Sequence, residues 1–121
     1  MQLVQIAQHA DDLDRAADFY TVLLDTPPTA RFDPPGLIFF DLDGVRLLLD
    51  RSAPSSLVYL RVDNVHETLE RLGGLVDIVS AAHVIFTHSD DRLGPAGYEE
   101  WQAFIRDSEG NTVGLVAYQR P

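Results

Sequence analysis

Two histidines, His83 and His88, stand five residues apart and flank an apolar run in the second half of the chain. If this segment is extended, alternation points the two side chains to opposite faces, so they would not share one site. Imidazole titrates near neutral pH, which suits it to proton transfer. Because His83 lies nearer a predicted strand end, we predict it as a catalytic acid–base residue. The alternative is that at least one of the two is an ordinary surface histidine.

Two carboxylates, Glu99 and Glu100, directly precede Trp101. A solvated acidic run is the simplest interpretation of this pair. If Trp101 instead faces an apolar pocket, a neighbouring carboxylate would have a raised pKa and could act as a base. We therefore predict Glu100 as a second catalytic candidate and Trp101 as a wall of the ligand site.

Further polar candidates follow from positions on predicted strands. Arg46 and Arg61 could bind a carboxylate or phosphate bidentately, and the alternative is an ion pair with a sheet carboxylate such as Asp50. His9, at the end of the first strand, could donate to a ligand or lie at the surface. The sequence contains no glycine-rich phosphate loop, serine elbow or carboxylate pair of recognisable spacing.

Length, charge and composition restrict the classes of function. A chain of 121 residues suffices for one core, so we predict a single domain over 1–121. The formal net charge of -10 argues against nucleic acid as a partner, because duplex binding needs a basic surface. Cysteine is absent, and we expect neither a membrane span nor a signal peptide, so the predicted location is cytoplasmic.

The elements that position these residues occur in the same order twice. Acidic turns at 41–44 and 107–110 each join two apolar runs, which predicts two hairpins. A strand and an amphipathic helix precede each hairpin, so each half is predicted as β-α-β-β-β. Module 1 covers about 1–51 and module 2 about 56–121. The second copy is longer, which predicts a functional loop between about 81 and 100.

Period-two alternation assigns the two faces of the predicted strands. One parity is apolar in four strands and must pack on the helices, namely Val4, Ile6, Val45, Leu47, Leu49, Val58, Leu60, Val62, Val113 and Leu115. The other parity mixes apolar and polar side chains, a combination typical of a ligand pocket. We therefore predict an α+β fold in which the sheet curves into a cup with the helices on its outer face.

Three segments resemble the vicinal oxygen chelate superfamily, the glyoxalase/bleomycin-resistance/extradiol-dioxygenase group. They are the first strand with the helix start at 12–20, the strand leading into 62–64, and the closing hairpin at 106–111. Together with the doubled unit they cover nearly the whole chain. The resemblance implies two tandem βαβββ modules forming a cup-like mixed sheet, a small organic ligand in the cup, and a homodimer. It does not imply one reaction, because members include isomerases, lyases, dioxygenases, thiol transferases and drug-binding proteins.

The resemblance also implies where metal-dependent members place their ligands, here Gln5, about Leu48 (the register also permits Leu47), Leu57 and Gly114. A divalent ion needs several oxygen or nitrogen ligands, and only Gln5 offers one. We therefore predict no metal and no other cofactor. The predicted ligand-binding residues are Gln5, His9, Arg46, Leu48, Leu57, Tyr59, Arg61, Trp101 and Gly114.

Three functions are open at this point. The first is a small-molecule-binding or metal-independent enzymatic member of the superfamily, with the long loop as a lid. The second is a divalent-metal-dependent lyase, isomerase or dioxygenase with a relocated site, for example Gln5 with His83 and Glu100. The third is a resistance protein that sequesters a cationic drug or toxin between two subunits, which the acidic composition permits.

Overall fold

The computed structural model describes residues 1–121 as two compact units. Unit 1 comprises Met1–Leu57 and Asp107–Asn111, and unit 2 comprises Val58–Arg106 and Thr112–Pro121. Each unit contains one four-stranded mixed sheet and one α-helix, which confirms the predicted α+β class with tandem βαβββ modules. A single domain over the whole chain stays a prediction. None of the helices has the length and apolar character required to cross a membrane.

Unit 1 follows the predicted order of elements closely. It contains β1 (Gln5–His9), α1 (Leu13–Leu24), β2 (Ala30–Phe32), β3 (Leu37–Leu42) and β4 (Val45–Asp50). The sheet order is β1-β4-β3-β2, with β1 parallel to β4 and the other pairs antiparallel. The Asp12 carboxylate caps α1 by accepting a 3.0 Å hydrogen bond from the Arg15 amide. Asp43 and Gly44 both have positive φ, as a two-residue hairpin turn requires.

The apolar face of the first sheet packs on α1, which contacts β3 and β4. Ile38, Phe40 and Leu49 on this face are fully buried, and each such side chain contributes roughly 2–3 kcal/mol of transfer free energy. The predicted apolar parity is therefore confirmed for Leu47 and Leu49 of β4, whereas the predicted Val4 lies before β1 and is exposed. We call the opposite side the helix-free face of the first sheet; register places on it Gln5, Ala7, His9, Arg46, Leu48, Asp50 and Phe39.

Unit 2 repeats the arrangement with longer strands. It contains β5 (Val58–Arg61), α2 (Val65–Leu72), a 3-10 turn (Gly73–Leu75), β6 (Asp77–Thr87), β7 (Glu99–Arg106) and β8 (Thr112–Gln119). The sheet order is β5-β8-β7-β6, with β5 parallel to β8. The Asn64 side chain accepts from the Glu67 amide at the start of α2, as the predicted cap requires.

The helix α2 contacts β7 and β8 and covers one side of the second sheet. Val65 packs there with Ala103 and Ala117, all three fully buried. We call the other side the helix-free face of the second sheet; register places on it Tyr59, Arg61, Glu100, Gln102, Phe104, Gly114, Val116 and Tyr118.

The strand β6 differs most from the prediction. The sequence predicts a strand over 76–79 followed by a loop from about 81 to 100, whereas β6 continues to Thr87 and only residues 88–98 connect it to β7. Its pairing with β7 shifts register between Ile78 and Ser80, between Ser80 and His83, and between Val84 and Phe86. Such bulges interrupt the period-two pattern by which a strand is recognised in a sequence.

Candidate functional site

The helix-free face of the second sheet carries all the predicted site residues of unit 2 except Trp101. Register places Arg61, Val116, Gln102 and His83 in one row across the strands, and Tyr118, Glu100 and Phe86 in the next. Apart from Trp101, the predicted ligand and acid–base candidates of this unit therefore lie on one face of the sheet.

A buried hydrogen-bond chain lies on this face. The His88 Nε2 atom is 2.9 Å from Oε1 of Glu100, and the side chains of His88 and Glu100 are only 3% and 11% exposed. The other carboxylate oxygen accepts a hydrogen bond of 2.6 Å from the Gln102 side-chain amide. Both side-chain oxygens of Glu100 therefore have partners, as buried polar atoms require.

The histidine that contacts Glu100 is therefore His88, whereas the predicted acid–base histidine was His83. His83 is exposed, and its Nδ1 atom lies 2.7 Å from the Ala81 carbonyl oxygen. The expectation that His83 and His88 point to opposite faces is wrong, because the bulge between Val84 and Phe86 shifts the alternation by one residue. Sequence reasoning considered His88 but chose His83, and it missed Gln102; the β6–β7 pairing is what distinguishes these residues.

The loop that follows β6 packs closely on the His88 ring. A β-carbon built on Gly94 would lie 2.7 Å from both Cε1 and Nε2 of His88, so only glycine allows this approach. The ring also contacts Phe86 and Tyr118, at centroid distances of 4.5 and 5.6 Å. A cleft of about 450 Å³ is lined by His88 together with residues 86, 87, 89, 90, 92 and 93.

Arg61 lies next to this cluster without a carboxylate partner. Its guanidinium lies 5.0 Å from the centre of the Tyr118 ring, a cation–π arrangement. No carboxylate oxygen approaches within 4.0 Å, whereas Arg15, Arg31, Arg51 and Arg92 all form ion pairs.

Arg46 has a similar environment on the helix-free face of the first sheet. Its Nε donates a 3.0 Å hydrogen bond to Oε1 of Gln5, and its guanidinium lies 5.6 Å from the centre of the Phe39 ring. Asp50 accepts instead from the Ser52 amide. Arg46 forms no ion pair with Asp50, so the alternative interpretation of Arg46 is wrong.

Gly114 is covered by aromatic rings. A β-carbon there would meet Cδ2 of Tyr59 at 2.7 Å and Cε1 of Phe104 at 3.1 Å. Tyr59 and Phe104 pack edge to face, with centroids 5.7 Å apart, and Tyr59 is half exposed. These rings form an apolar wall beside Arg61 on the same face.

Trp101 lies on the opposite side of the second sheet from Tyr59 and Arg61. It packs against the Val65 cluster, and its ring contacts His66 of α2 at a centroid distance of 4.9 Å. The predicted position of Trp101 in the wall of the ligand surface is therefore wrong, because its parity on β7 is that of the buried Ala103.

The remaining predicted residues lie in unit 1. The ring nitrogens of His9 lie 3.1 Å from the Ala53 carbonyl oxygen and 2.7 Å from Oδ1 of Asp11. The hydrogen bond to Asp11 raises the pKa of His9, partly offset by desolvation. Leu57 is exposed just before β5, whereas Leu48 is buried.

The positions that correspond to metal ligands in metal-dependent relatives do not fit a divalent ion. The one available oxygen, Oε1 of Gln5, already accepts a hydrogen bond from a guanidinium, whose positive charge opposes a cation nearby. Leu48, Leu57 and Gly114 contribute no side-chain donor. The chain also contains no group of three or more histidine or acidic side chains that could hold a metal ion.

Solved structures share this fold over nearly the whole chain. A structure described only as a conserved domain protein aligns with a TM-score of 0.73 at 14% identity, covering 98% of this chain and 100% of the other. A lactoylglutathione lyase from Agrobacterium tumefaciens aligns with a TM-score of 0.68 at 23% identity, covering 96% and 92%. A glyoxalase/bleomycin resistance protein/dioxygenase from Alicyclobacillus acidocaldarius aligns with a TM-score of 0.66 at 19% identity, covering 97% and 91%.

Sequence comparison adds nothing to this, since no family profile and no curated protein matches the chain. The structural likenesses show that the chain has the fold of the glyoxalase/bleomycin resistance/dioxygenase structures. The predicted resemblance to the vicinal oxygen chelate superfamily is thus confirmed at the level of the fold. One fold of this kind serves many chemistries, so the site residues must carry the argument about function.

Proposed function

We propose that the chain binds a small organic anion on the helix-free face of the second sheet and does so without a metal ion. The observation that carries this proposal is the unpaired guanidinium of Arg61. In a chain with 19 acidic and 9 basic residues, carboxylates are abundant, yet Arg61 stacks on Tyr118 and leaves its donors free of them. A planar guanidinium in this state suits a carboxylate or phosphate, which it can bind through two parallel hydrogen bonds.

The apolar surroundings of Arg61 support an organic ligand. Tyr59 and Phe104 form an aromatic wall on the same face, and Val116 lies beside Arg61 in the strand register. Small-molecule sites commonly combine such walls with a few polar groups that fix orientation. A ligand with an apolar body and one anionic group matches this combination.

The helix-free face of the first sheet supports the same class of ligand independently. Arg46 donates a hydrogen bond to Gln5, and its guanidinium lies over the Phe39 ring. Leu48, two residues further along β4, lies on the same face. Gln5 adds an amide donor that can bond a ligand oxygen. Arg46 is therefore proposed as a second anion-binding residue, argued from its own sheet.

Metal independence is proposed because the donor set is unsuitable. Gln5 is bonded to a guanidinium, and Tyr59 occupies the space over Gly114. A divalent ion prefers several anionic or neutral oxygen and nitrogen donors in fixed geometry. The function proposed here is that of a metal-independent small-molecule-binding member of the superfamily.

The edge strand β6 supports a homodimer as the second proposed property. It forms the end of the second sheet and exposes apolar side chains on its surface, among them Ile78, Val79, Val84, Ile85 and Phe86. Long apolar edge strands are aggregation-prone unless a partner covers them. A second copy of the chain is the proposed occupant, and light scattering after size exclusion tests it. A monomer at micromolar concentration would contradict the proposal.

A thermal-shift screen tests the binding proposal. The probes are small aliphatic and aromatic carboxylates and phosphomonoesters, each with EDTA and with added Mg²⁺, Mn²⁺ or Ni²⁺. At a hundredfold its dissociation constant, a bound probe adds about 2.7 kcal/mol to the free energy of unfolding. The expected result is a stabilising anion whose effect is the same with EDTA. Stabilisation by no anion, or only in the presence of a metal, would contradict the proposal.

A matched pair of variants tests the role of Arg61 in anion binding. Arg61→Gln removes the charge from the helix-free face of the second sheet, whereas Arg31→Gln removes an arginine already paired with Asp14. Losing a charged hydrogen-bond partner costs about 1.5–3 kcal/mol, which corresponds to an affinity loss of about tenfold or more. The expected result is weaker binding in the first variant and unchanged binding in the second.

A further inference from the structure

The second sheet ends in a long edge strand with few charged residues. β6 has 11 residues, whereas the edge strands β1, β2 and β5 have five, three and four. It contains no proline, lysine or arginine, and its one acidic residue, Asp77, stands at its first position. Its apolar residues Ile78, Val79, Val84 and Ile85 are 37% to 54% exposed. Edge strands are usually short or protected by charge or proline, so the composition of β6 favours a partner strand.

The sequence of β6 is nearly the same when it is read in either direction. Three of the four symmetric pairs between positions 78 and 85 are identical residues, namely Ile78 with Ile85, Val79 with Val84, and Ala81 with Ala82. Only Ser80 and His83 differ. When two copies of one strand pair antiparallel about a two-fold axis, residue i faces residue j and j faces i. Pairing about the midpoint of this segment therefore places isoleucine opposite isoleucine and valine opposite valine, each twice.

A register shift in β6 makes such pairing compatible with two-fold symmetry. Opposite residues of an antiparallel pair lie on the same face of the sheet, so the two members of each symmetric pair must share a face. In a regular strand Ser80 and His83, three residues apart, would lie on opposite faces. The shift between them instead places Ser80 opposite Phe104 and His83 opposite Gln102, which both belong to the helix-free face. The central symmetric pair of polar residues therefore meets the requirement.

The outer part of the strand meets the same requirement and adds no charge repulsion. Asp77 and Phe86 are equally distant from the midpoint, and they lie opposite Arg106 and Glu100 of β7. Those two positions are an even number of residues apart on β7, so Asp77 and Phe86 also share the helix-free face. Symmetric pairing places each Asp77 opposite a phenylalanine and at the far end from the other Asp77. In a chain with a net charge of -10, this strand can pair with itself without opposing like charges.

We propose that β6 pairs antiparallel with β6 of a second copy about the midpoint between Ala81 and Ala82. This inference rests on the homodimer proposed above and specifies its geometry. The four-stranded sheet of unit 2 and that of the second copy then form one continuous sheet. Each His83 lies beside Ser80 of the other copy on the helix-free face, which also carries Arg61. The arrangement is closed, because each β6 edge is used once and none remains for a third copy.

Engineered cysteines test the register, because the chain has no cysteine of its own. Ser80→Cys protein is mixed with His83→Cys protein that carries a tag, so that mass identifies a mixed disulfide after mild oxidation. Opposite residues have the separation that a disulfide requires, whereas two copies of the same position are offset along the strands. The mixed disulfide is therefore expected to be the main product. Disulfides within one variant that form as readily, or no disulfide in a dimeric protein, would overturn the inference.

A matched pair of lysine variants tests the contact itself. Val84→Lys places a charge on β6, opposite Val79 of the second copy, whereas Val22→Lys places one on α1; the two valines are 37% and 46% exposed. An ammonium group buried against an apolar side chain is unfavourable. Light scattering is expected to show a monomer for Val84→Lys at a concentration at which the wild type and Val22→Lys are dimers. Circular dichroism checks the fold, and the cysteine mixture decides if Val84→Lys does not fold.

The outcomes separate this inference from the proposals on which it rests. A monomeric wild type contradicts the homodimer and its geometry together. A dimeric wild type whose Val84→Lys variant is also dimeric, or whose cysteine variants give no mixed disulfide, overturns the geometry alone. Anion binding is judged separately, by the loss of affinity in Arg61→Gln.

Discussion

The Tyr59 ring lies over Gly114 so closely that a β-carbon on Gly114 would come within 2.7 Å of Cδ2 of Tyr59. The resemblance places a metal ligand of metal-dependent members at this position. Here an aromatic ring takes the space that a longer side chain would need. The two residues are therefore expected to be coupled in stability.

A double-mutant cycle measures this coupling. Gly114→Ala reduces the backbone entropy that is lost on folding, but it places a β-carbon against the Tyr59 ring. We expect a net loss of roughly 1 kcal/mol in the free energy of unfolding. In the Tyr59→Ala background the same substitution should become neutral or stabilising, because the clash is removed. Urea unfolding of the four proteins gives the result. Additive effects would show that the ring does not restrict this position.

The buried hydroxyl of Tyr20 provides a second test. It donates a 2.7 Å hydrogen bond to Oδ2 of Asp107, and burial, followed by the nearby Asp107 charge, raises the pKa of Tyr20. Tyr20→Phe removes a donor from a buried carboxylate and should cost about 1–3 kcal/mol. Tyr59→Phe is the control, since Tyr59 is half exposed and should change stability by less than about 0.5 kcal/mol. Equal losses in the two variants would contradict the assigned role.

Glu109 makes stability depend on pH in a defined direction. Burial tends to raise the pKa of Glu109, but hydrogen bonds from the Arg15 side chain, the Asp12 amide and Ser108 outweigh it, so the pKa lies below the usual 4.5. The ionised form therefore stabilises the fold above that pH, and the contribution is lost as the pH falls through the lowered value. Arg15→Gln should lower the midpoint of urea unfolding at pH 7, and the decrease should be smaller at pH 3.

The control for this pH dependence is Arg31→Gln. Arg31 pairs with Asp14, whose side chain is 82% exposed, so this ion pair should contribute little at either pH. An Arg15→Gln deficit that is the same at pH 3 as at pH 7 would show that Glu109 is not the titrating partner.

Regular apolar spacing explains which parts of the fold the sequence predicts. In β4 and most of β8 the helix-side positions are apolar, so the pattern predicts that face, although Leu48 and Val116 on the opposite face are buried as well. The turns at 43–44 and 107–111 likewise follow from local chemistry, since they need positive φ at Gly44 and Gly110. Local signals of this kind do not depend on the partner strand.

The features of the fold and site that the sequence does not predict depend on pairing between strands. Bulges in β6 shift the alternation, which hides both the length of that strand and the side on which His88 lies. Trp101 was predictable in principle, because it shares its parity with the apolar Ala103 and Ile105. The position of Arg61 on the mixed parity of its strand was predicted, but its lack of an ion-pair partner is visible only in three dimensions.

Isothermal titration of the most stabilising anion tests the central claim most directly, using protein treated with EDTA and the Arg61→Gln and Arg31→Gln variants. We predict anion binding in wild-type and Arg31→Gln protein, with affinity unaffected by the chelator and reduced by about tenfold or more in Arg61→Gln. Loss of binding on chelation, or an unchanged affinity in Arg61→Gln, would contradict metal-independent anion binding by this face.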